Sequence, residues 1–305
     1  MVHPLVVAFR ALAGRGEVPS PSASLAAELV VHGLAPYAFS RFGDGWRPLL
    51  RSALAETFAA SEARRPHLQR AIAALGDIQA IALKGLDYAS SIYTDPALRP
   101  MGDHDLLVRD EDYPRALSTL VAAGFREALP QVGVARHPLH YATQMLCAGY
   151  ALDLHRAVRQ AVRADVEYAS VFASAAPRAD GLLTADPRHR VLLHVMHMAG
   201  HEFCGPLVRF LDLTLMPIDD ATRELAKRWH VAHPLQAALR LRALLLGERA
   251  PHAFTGQSLL PSLARLCDPA HKQRRPVQLA RKLVLLDDWR HRFAFARYAL
   301  AAPRK

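Results

Sequence analysis

Two aspartates stand one residue apart immediately before an apolar triplet. In "LRPMGDHDLLVRDEDYPRAL", residues 98–117, Asp103 and Asp105 lead into Leu106, Leu107 and Val108. A short apolar run of this kind reads as a buried strand. On a strand, residues i and i+2 point the same way, so the two carboxylates project side by side while His104 faces the opposite side. Adjacent carboxylates repel each other and resist burial. A divalent oxygen-seeking cation removes that penalty, and Mg²⁺ is typically held by one or two carboxylates plus substrate phosphates. The alternative is an acidic strand end in which Asp103 caps a turn, and an isolated D-x-D does not separate the two.

The neighbouring segments add context. Upstream, "IQAIAL" (78–83) is a β-branched and apolar run that ends in Lys84-Gly85, where a helix can begin. Strand, glycine turn and helix N-terminus together offer free N–H groups and a favourable dipole to a phosphate. Downstream, "YALDLHRAV" presents Asp153 on another strand among leucines. Three carboxylates reaching one point from neighbouring strands is what two-metal phosphoryl transfer needs. His155, two residues after Asp153, shares its face; it either orients Asp153, contacts phosphate or moves a proton, or is a polar residue at a strand end.

Around this centre the pattern is helical. Residues 1–75 show apolar residues at 3–4 spacing, as in "SASLAAELVVHGLAPYAFSRF" and "RPHLQRAIAALGD". Residues 76–160 read as an α/β core, with strands near 78, 105, 143 and 152 and a helix closed by Gly124. "YATQMLC-AG-YALDLH" reads as a hairpin turning on Ala148-Gly149. From 161 to 305 strand signals fade and the segments read as helices. The expected class is α+β: a small mixed sheet flanked by helices, with helical regions at both ends.

Composition excludes several classes. Three scattered cysteines without a CxxC pair argue against a disulfide framework or a thiolate zinc site, and suit a reducing cytosol. The opening "MVHPLVVAFRALAGRG" is interrupted by Arg10 and reads as an amphipathic helix, not a signal peptide. No run reaches the roughly 18 apolar residues of a membrane span. A soluble, cytoplasmic protein without a membrane partner is expected. The formal charge is +10, and residues 271–305 hold ten Lys and Arg against two Asp. That segment is either a surface for a polyanion such as nucleic acid or a solvated helix face; the spacing of Val284, Leu285, Trp289, Phe293 and Phe295 suits helix packing. His194, His197 and His201 fall on one helical face, able to ligate zinc, donate to a nucleotide, or line a cleft. Structural pairing with a nearby Arg or His is expected for Asp212.

"LKG", then "LRPMGDHDLLV", then a helix ending in "AAGF", then "LDLH" resembles the uncharacterised bacterial nucleotidyltransferase-like proteins, remote members of the polymerase-β-type nucleotidyltransferase superfamily. "LAAELVVHGLAPYAF" and "HVMHMAGHE…LVRFLDL" resemble that family too, so the likeness spans roughly residues 25–215. The resemblance implies that Asp103 and Asp105 bind Mg²⁺ or Mn²⁺. It makes Asp153 the third carboxylate, helping to activate the acceptor hydroxyl. Lys84, Gly85, Arg99 and His155 are the nucleotide-binding candidates, with Lys84 and Arg99 reaching the triphosphate. Two residues depart from the family pattern. Leu86 follows Gly85 where a glycine or serine is usual, and His104 replaces an aliphatic residue between the aspartates.

The reading that follows is a metal-dependent nucleotidyltransferase, moving a nucleoside monophosphate from an NTP such as ATP to a hydroxyl acceptor with release of pyrophosphate. Small molecule, peptide, protein and RNA acceptors all remain open. The alternatives are a non-catalytic nucleotide- or partner-binding scaffold of the same fold, and an RNA-binding protein using residues 271–305.

Overall fold

The computed structural model describes residues 2–128, 141–158, 164–249, 260–268 and 275–301. Four helices come first: α1 (Pro4–Leu12), α2 (Ala23–Val31), α3 (Ala35–Arg41) and α4 (Arg47–Leu75). Proline at its start and a buried face of Leu5, Val6, Ala8, Phe9 and Leu12 define α1. Ser22 caps α2 by accepting from the Leu25 N–H. Between α2 and α3 the chain turns on Gly33 at φ +68°, where a Cβ would lie 3.2 Å from Val208 and 3.4 Å from Pro100. Both the turn and the close approach call for glycine.

The period then switches. Fully buried β1 (Ala80–Leu83) runs directly into α5 (Lys84–Ser91), and a 3₁₀ turn at Pro96–Leu98 leads to β2 (His104–Val108) and α6 (Tyr113–Ala122). After the two-residue β3 (Arg126–Glu127), β4 (Ala142–Cys147) and β5 (Tyr150–His155) form the expected hairpin, with Cys147 opposite Tyr150. Its linking residues Ala148 and Gly149 have φ of +49° and +86°, as a primed two-residue turn requires. A non-glycine residue in that region costs about 1 kcal/mol. Ala148→Gly is therefore expected to stabilise the protein by up to about that amount, read as a higher urea midpoint at unchanged slope.

The second half contains α7 (Tyr168–Ala173), β6 (Ala176–Pro177), β7 (Leu183–Thr184), α8 (Pro187–Gly200), α9 (Val208–Leu215), α10 (Asp220–Arg228), α11 (Ala232–Leu246), α12 (Leu263–Leu266), α13 (Arg275–Val284) and α14 (Trp289–Ala301). The strands join in one seven-stranded mixed sheet of order β3-β4-β5-β2-β1-β7-β6. β2 runs parallel to β5 and β1 parallel to β7; the other pairs are antiparallel. The architecture is thus α+β, a mixed sheet flanked by helices. β6 and β7 correct the reading that no strand lies beyond residue 161. Two-residue strands show no alternation to detect, and Pro177 lies on an edge strand, where a missing N–H is tolerated.

The sheet's two faces have different covers. Ala80, Ala82, Leu106, Val108, Leu152 and Leu154 pack with Ala71 and Leu75 of α4 and Tyr113, Ala116 and Leu120 of α6. Ile81, Leu83 and Leu107 belong to the larger core shared with α1–α3 and α8–α11. Alternation along β2 places Asp105 with Leu107, towards this second side, and His104 towards α4.

His104 is buried, and that burial, aided by the Arg64 charge, lowers its pKa to about 4. His194 on α8 is lowered to about 4 as well, burial again being the main cause. In the unfolded chain a histidine takes up its proton near pH 6.5, so the unfolded state binds more protons than the fold between about 6.5 and 4. Stability is expected to fall as pH drops through that window, by roughly 2 kcal/mol per histidine at pH 5. Urea unfolding at pH 7 and pH 5 measures the drop, and His104→Gln should flatten it.

The basic C-terminal segment is described from Arg275. Leu285 and Phe295 are buried as their spacing suggests, but Trp289 and Phe293 are 70 % and 61 % exposed. No single helix runs through the segment. α13 ends at Val284, and the Asp287 carboxylate turns away to accept the backbone N–H groups of Ala232 and His233 at 2.6 and 2.8 Å. The apolar spacing is therefore split between two helices in different registers. Among the described residues, no helix is long and apolar enough to cross a membrane.

Candidate active site

The sheet register sets the site. Asp105 on β2 is the Cα partner of Asp153 on parallel β5, Leu83 of β1 flanks Asp105, and Gln144 of β4 flanks Asp153. One transverse rung thus reads Leu83–Asp105–Asp153–Gln144, with Lys84 just beyond β1. Asp103 lies one residue before β2, and with Asp105, Asp153, His155, Lys84 and Gly85 it lines one cavity of about 1090 Å³. α8, α9 and α13 close the cavity from the far side, contributing His194, His197, Arg209 and Lys282.

The three carboxylates have different surroundings. Asp105, 3 % exposed, accepts from Lys84 Nζ at 2.5 Å and pairs with His155 Nε2 at 2.9 Å, both through Oδ1. Burial alone would raise its pKa, but His155 and Lys84 outweigh burial and hold it below the ordinary value. Asp103 makes no ion pair among the described residues; burial first, then the charges of Asp105 and Asp153, raise its pKa. Asp153 accepts from Gln144 Nε2 at 3.1 Å. Ligand atoms of Asp105, Asp153 and His155 lie within 4.8 Å of one another. Two carboxylate oxygens and an imidazole nitrogen at that spacing form a group of the kind that can hold a divalent cation; Asp103 lines the same cavity but does not belong to that group.

Lys84 begins α5 at φ +50°, an unusual conformation for a residue with a side chain. It lets the chain pass straight from β1 into α5 and places the ammonium over Asp105. At Gly85 a Cβ would lie 3.0 Å from Met101 and 3.5 Å from Arg99, so glycine lets the "LRPMGD" loop rest on the helix start. Leu86 points into the core on the α4 and α6 side.

Arg99 reaches the cavity wall, yet its guanidinium is engaged. Nε and Nη2 donate to the Asp212 carboxylate at 2.8 and 2.7 Å, and Nη1 donates to the Pro100 carbonyl. Burial would lower its pKa, but Asp212 overrides burial and raises it. Tyr93 Oη donates to the same carboxylate at 2.7 Å. Asp212 is thus the structural partner its sequence suggested, with an arginine 113 positions away.

The histidines of α8 are used separately. His194 Nε2 donates to the Arg209 carbonyl at 2.8 Å, and the His197 and His201 rings meet edge to face at 4.8 Å. A second group of metal-type ligands comes from outside the cavity. Asp165 pairs with His230 Nδ1 at 2.7 Å and with His291 Nε2 at 3.2 Å, tying α14 to the body. The sequence reading named neither this group nor the cavity residues Arg209 and Lys282. For Arg209 a signal existed, an arginine one turn before Asp212 in "VRFLDL", but nothing local shows that Asp212 is already taken by Arg99.

A mixed sheet flanked by helices, with a strand–Lys-Gly–helix turn beside the cavity, is consistent with a nucleotidyltransferase-like α+β fold. The chain matches the family model described as uncharacterised nucleotidyltransferase over residues 23–247, well over half its length, and it belongs to that family. No curated protein and no solved structure matches it.

Proposed function

We propose that the protein transfers a nucleoside monophosphate from a Mg²⁺- or Mn²⁺-bound NTP to a hydroxyl acceptor. The observation that carries this reading is the Asp105–Asp153 rung, with Asp103 beside it, facing a cavity large enough for nucleotide and acceptor together. The acceptor oxygen forms a bond to the α-phosphorus, the bond from that phosphorus to the β-bridging oxygen breaks, and pyrophosphate leaves. The hydroxyl proton passes to Asp153, whose carboxylate Gln144 holds in place. Asp103, Asp105 and Asp153 would hold the divalent cations, which supply charge neutralisation for the phosphates and a lowered acceptor pKa. Before substrate arrives, Lys84 and His155 compensate Asp105; Lys84 stays at the cavity to meet phosphate as a point charge.

One observation favours the alternative of a non-catalytic scaffold: Asp105 is already satisfied by Lys84 and His155, as a structural carboxylate would be. Incubation with each α-labelled NTP, Mg²⁺ and mixed acceptors separates the two. Label transfer with pyrophosphate release supports the enzyme. Mg-NTP binding without release under any condition supports the scaffold. Exposed Trp289 and Phe293, with Arg290 and Arg297 over their rings at 5.9 and 6.0 Å, leave α14 able to stack on an RNA acceptor. For RNA, affinity should fall steeply with salt.

A further inference from the structure

The cavity wall opposite the carboxylates carries Arg209 and Lys282, of which only Lys282 forms an ion pair among the described residues, with Glu202. Arg209 reaches it from the first turn of α9, and among the described residues its guanidinium makes one hydrogen bond, from Nη1 to the Cys204 carbonyl, long at 3.4 Å. It forms no ion pair there, unlike Arg99. Burial first, and then the Arg99 charge, depress its pKa, opposed by the charges of Asp212 and then of Asp103 and Asp105, none of which pairs with it among the described residues. His197 of α8 shares the wall, its pKa depressed by burial and then by the charges of Lys84 and Arg209. Lys282 of α13 completes it, braced by Glu202 at 3.1 Å. Three elements of the C-terminal half thus bring N–H donors to one wall, where the Arg209 charge adds to the cost of protonating His197. An anionic ligand removes that cost.

The glycine turn is poorly equipped for the same task. Leu86 is buried in the opposite core, and Met101 and Arg99 crowd Gly85. We infer that Arg209, with Lys282 and His197, forms the subsite for the β- and γ-phosphates of the NTP, the part that leaves as pyrophosphate. The subsite rests on the nucleotidyl-transfer reading for its ligand, but its location does not depend on catalysis. The planar Arg209 fork suits two phosphate oxygens, and Lys282 adds a point charge at the cavity edge.

Calorimetric titration of the wild type and of Arg209→Gln with tripolyphosphate, ATP and AMP tests the assignment. The wild type should bind tripolyphosphate and ATP. Arg209→Gln should weaken both by about 10- to 100-fold while AMP, lacking the outer phosphates, changes less than about twofold. Arg209→Lys should recover part of the loss, and Lys282→Ala should show a smaller loss of its own, so the result does not hang on the folding of one variant. Tripolyphosphate affinity kept within about twofold in Arg209→Gln, or no tripolyphosphate binding by the wild type, overturns the subsite. Arg209-dependent tripolyphosphate binding without binding of any NTP supports the subsite and sinks the nucleotidyl-transfer reading alone.

Discussion

Asp103→Asn is expected to lower turnover by about 10²- to 10³-fold while leaving the thermal midpoint unchanged or raised. The two readouts diverge because Asp103, unlike Asp105, forms no ion pair among the described residues and carries a raised pKa. Burial and the charges of Asp105 and Asp153 raise its pKa above that of an unfolded-chain aspartate. A raised carboxylate pKa means that the ionised side chain burdens the fold at neutral pH, a burden that lifts as pH falls through the raised value. Asparagine removes the charge and keeps the shape, so stability holds or rises while one oxygen ligand is weakened. Asp105→Asn should behave differently. It leaves Lys84 and His155 facing a neutral amide and should cost stability as well as activity. Parallel loss of midpoint in both variants would mark Asp103 as structural.

The second large effect lies beside the site. Asp212→Ala is expected to destabilise the protein by about 3–5 kcal/mol, because Asp212 is fully buried and is the only carboxylate paired with the buried Arg99 among the described residues. Tyr93 Oη loses its acceptor in the same step. Urea unfolding at pH 7 measures the loss. Replacing both partners, Arg99→Met with Asp212→Leu, should recover much of it, since the penalty comes from one stranded charge and not from a missing attraction. If Arg99 instead served mainly to hold triphosphate, Asp212→Ala would leave stability nearly intact and sharpen nucleotide affinity.

The central strands and hairpin were legible because their signals are local. "HDLLV" is β2 to the residue, and "YATQMLC-AG-YALDLH" is the β4–β5 hairpin with its turn on Ala148-Gly149. The placement of Asp103, Asp105 and Asp153 on one cavity follows from alternation plus parallel pairing of β2 with β5. Only the alternation can be read from a single strand. What stayed hidden depends on contacts distant in sequence. β7 is a strand because β1, far earlier in the chain, offers it an edge, and β6 pairs in turn with β7. Arg99 meets Asp212, and Arg209 meets the cavity, because α9 packs beside α8 and against the segment between α5 and β2, which no local pattern encodes. The apolar residues of the last helices predicted packing for Trp289 and Phe293, but the break at Asp287 put them in a different register.

The most direct test is a crystal structure with Mn²⁺ and a non-hydrolysable NTP, collected for anomalous scattering. An anomalous peak is expected among Asp103, Asp105 and Asp153, with the outer phosphates against Arg209. A structure whose only bound manganese lies at Asp165, His230 and His291, or whose nucleotide binds away from the three carboxylates, would contradict that expectation.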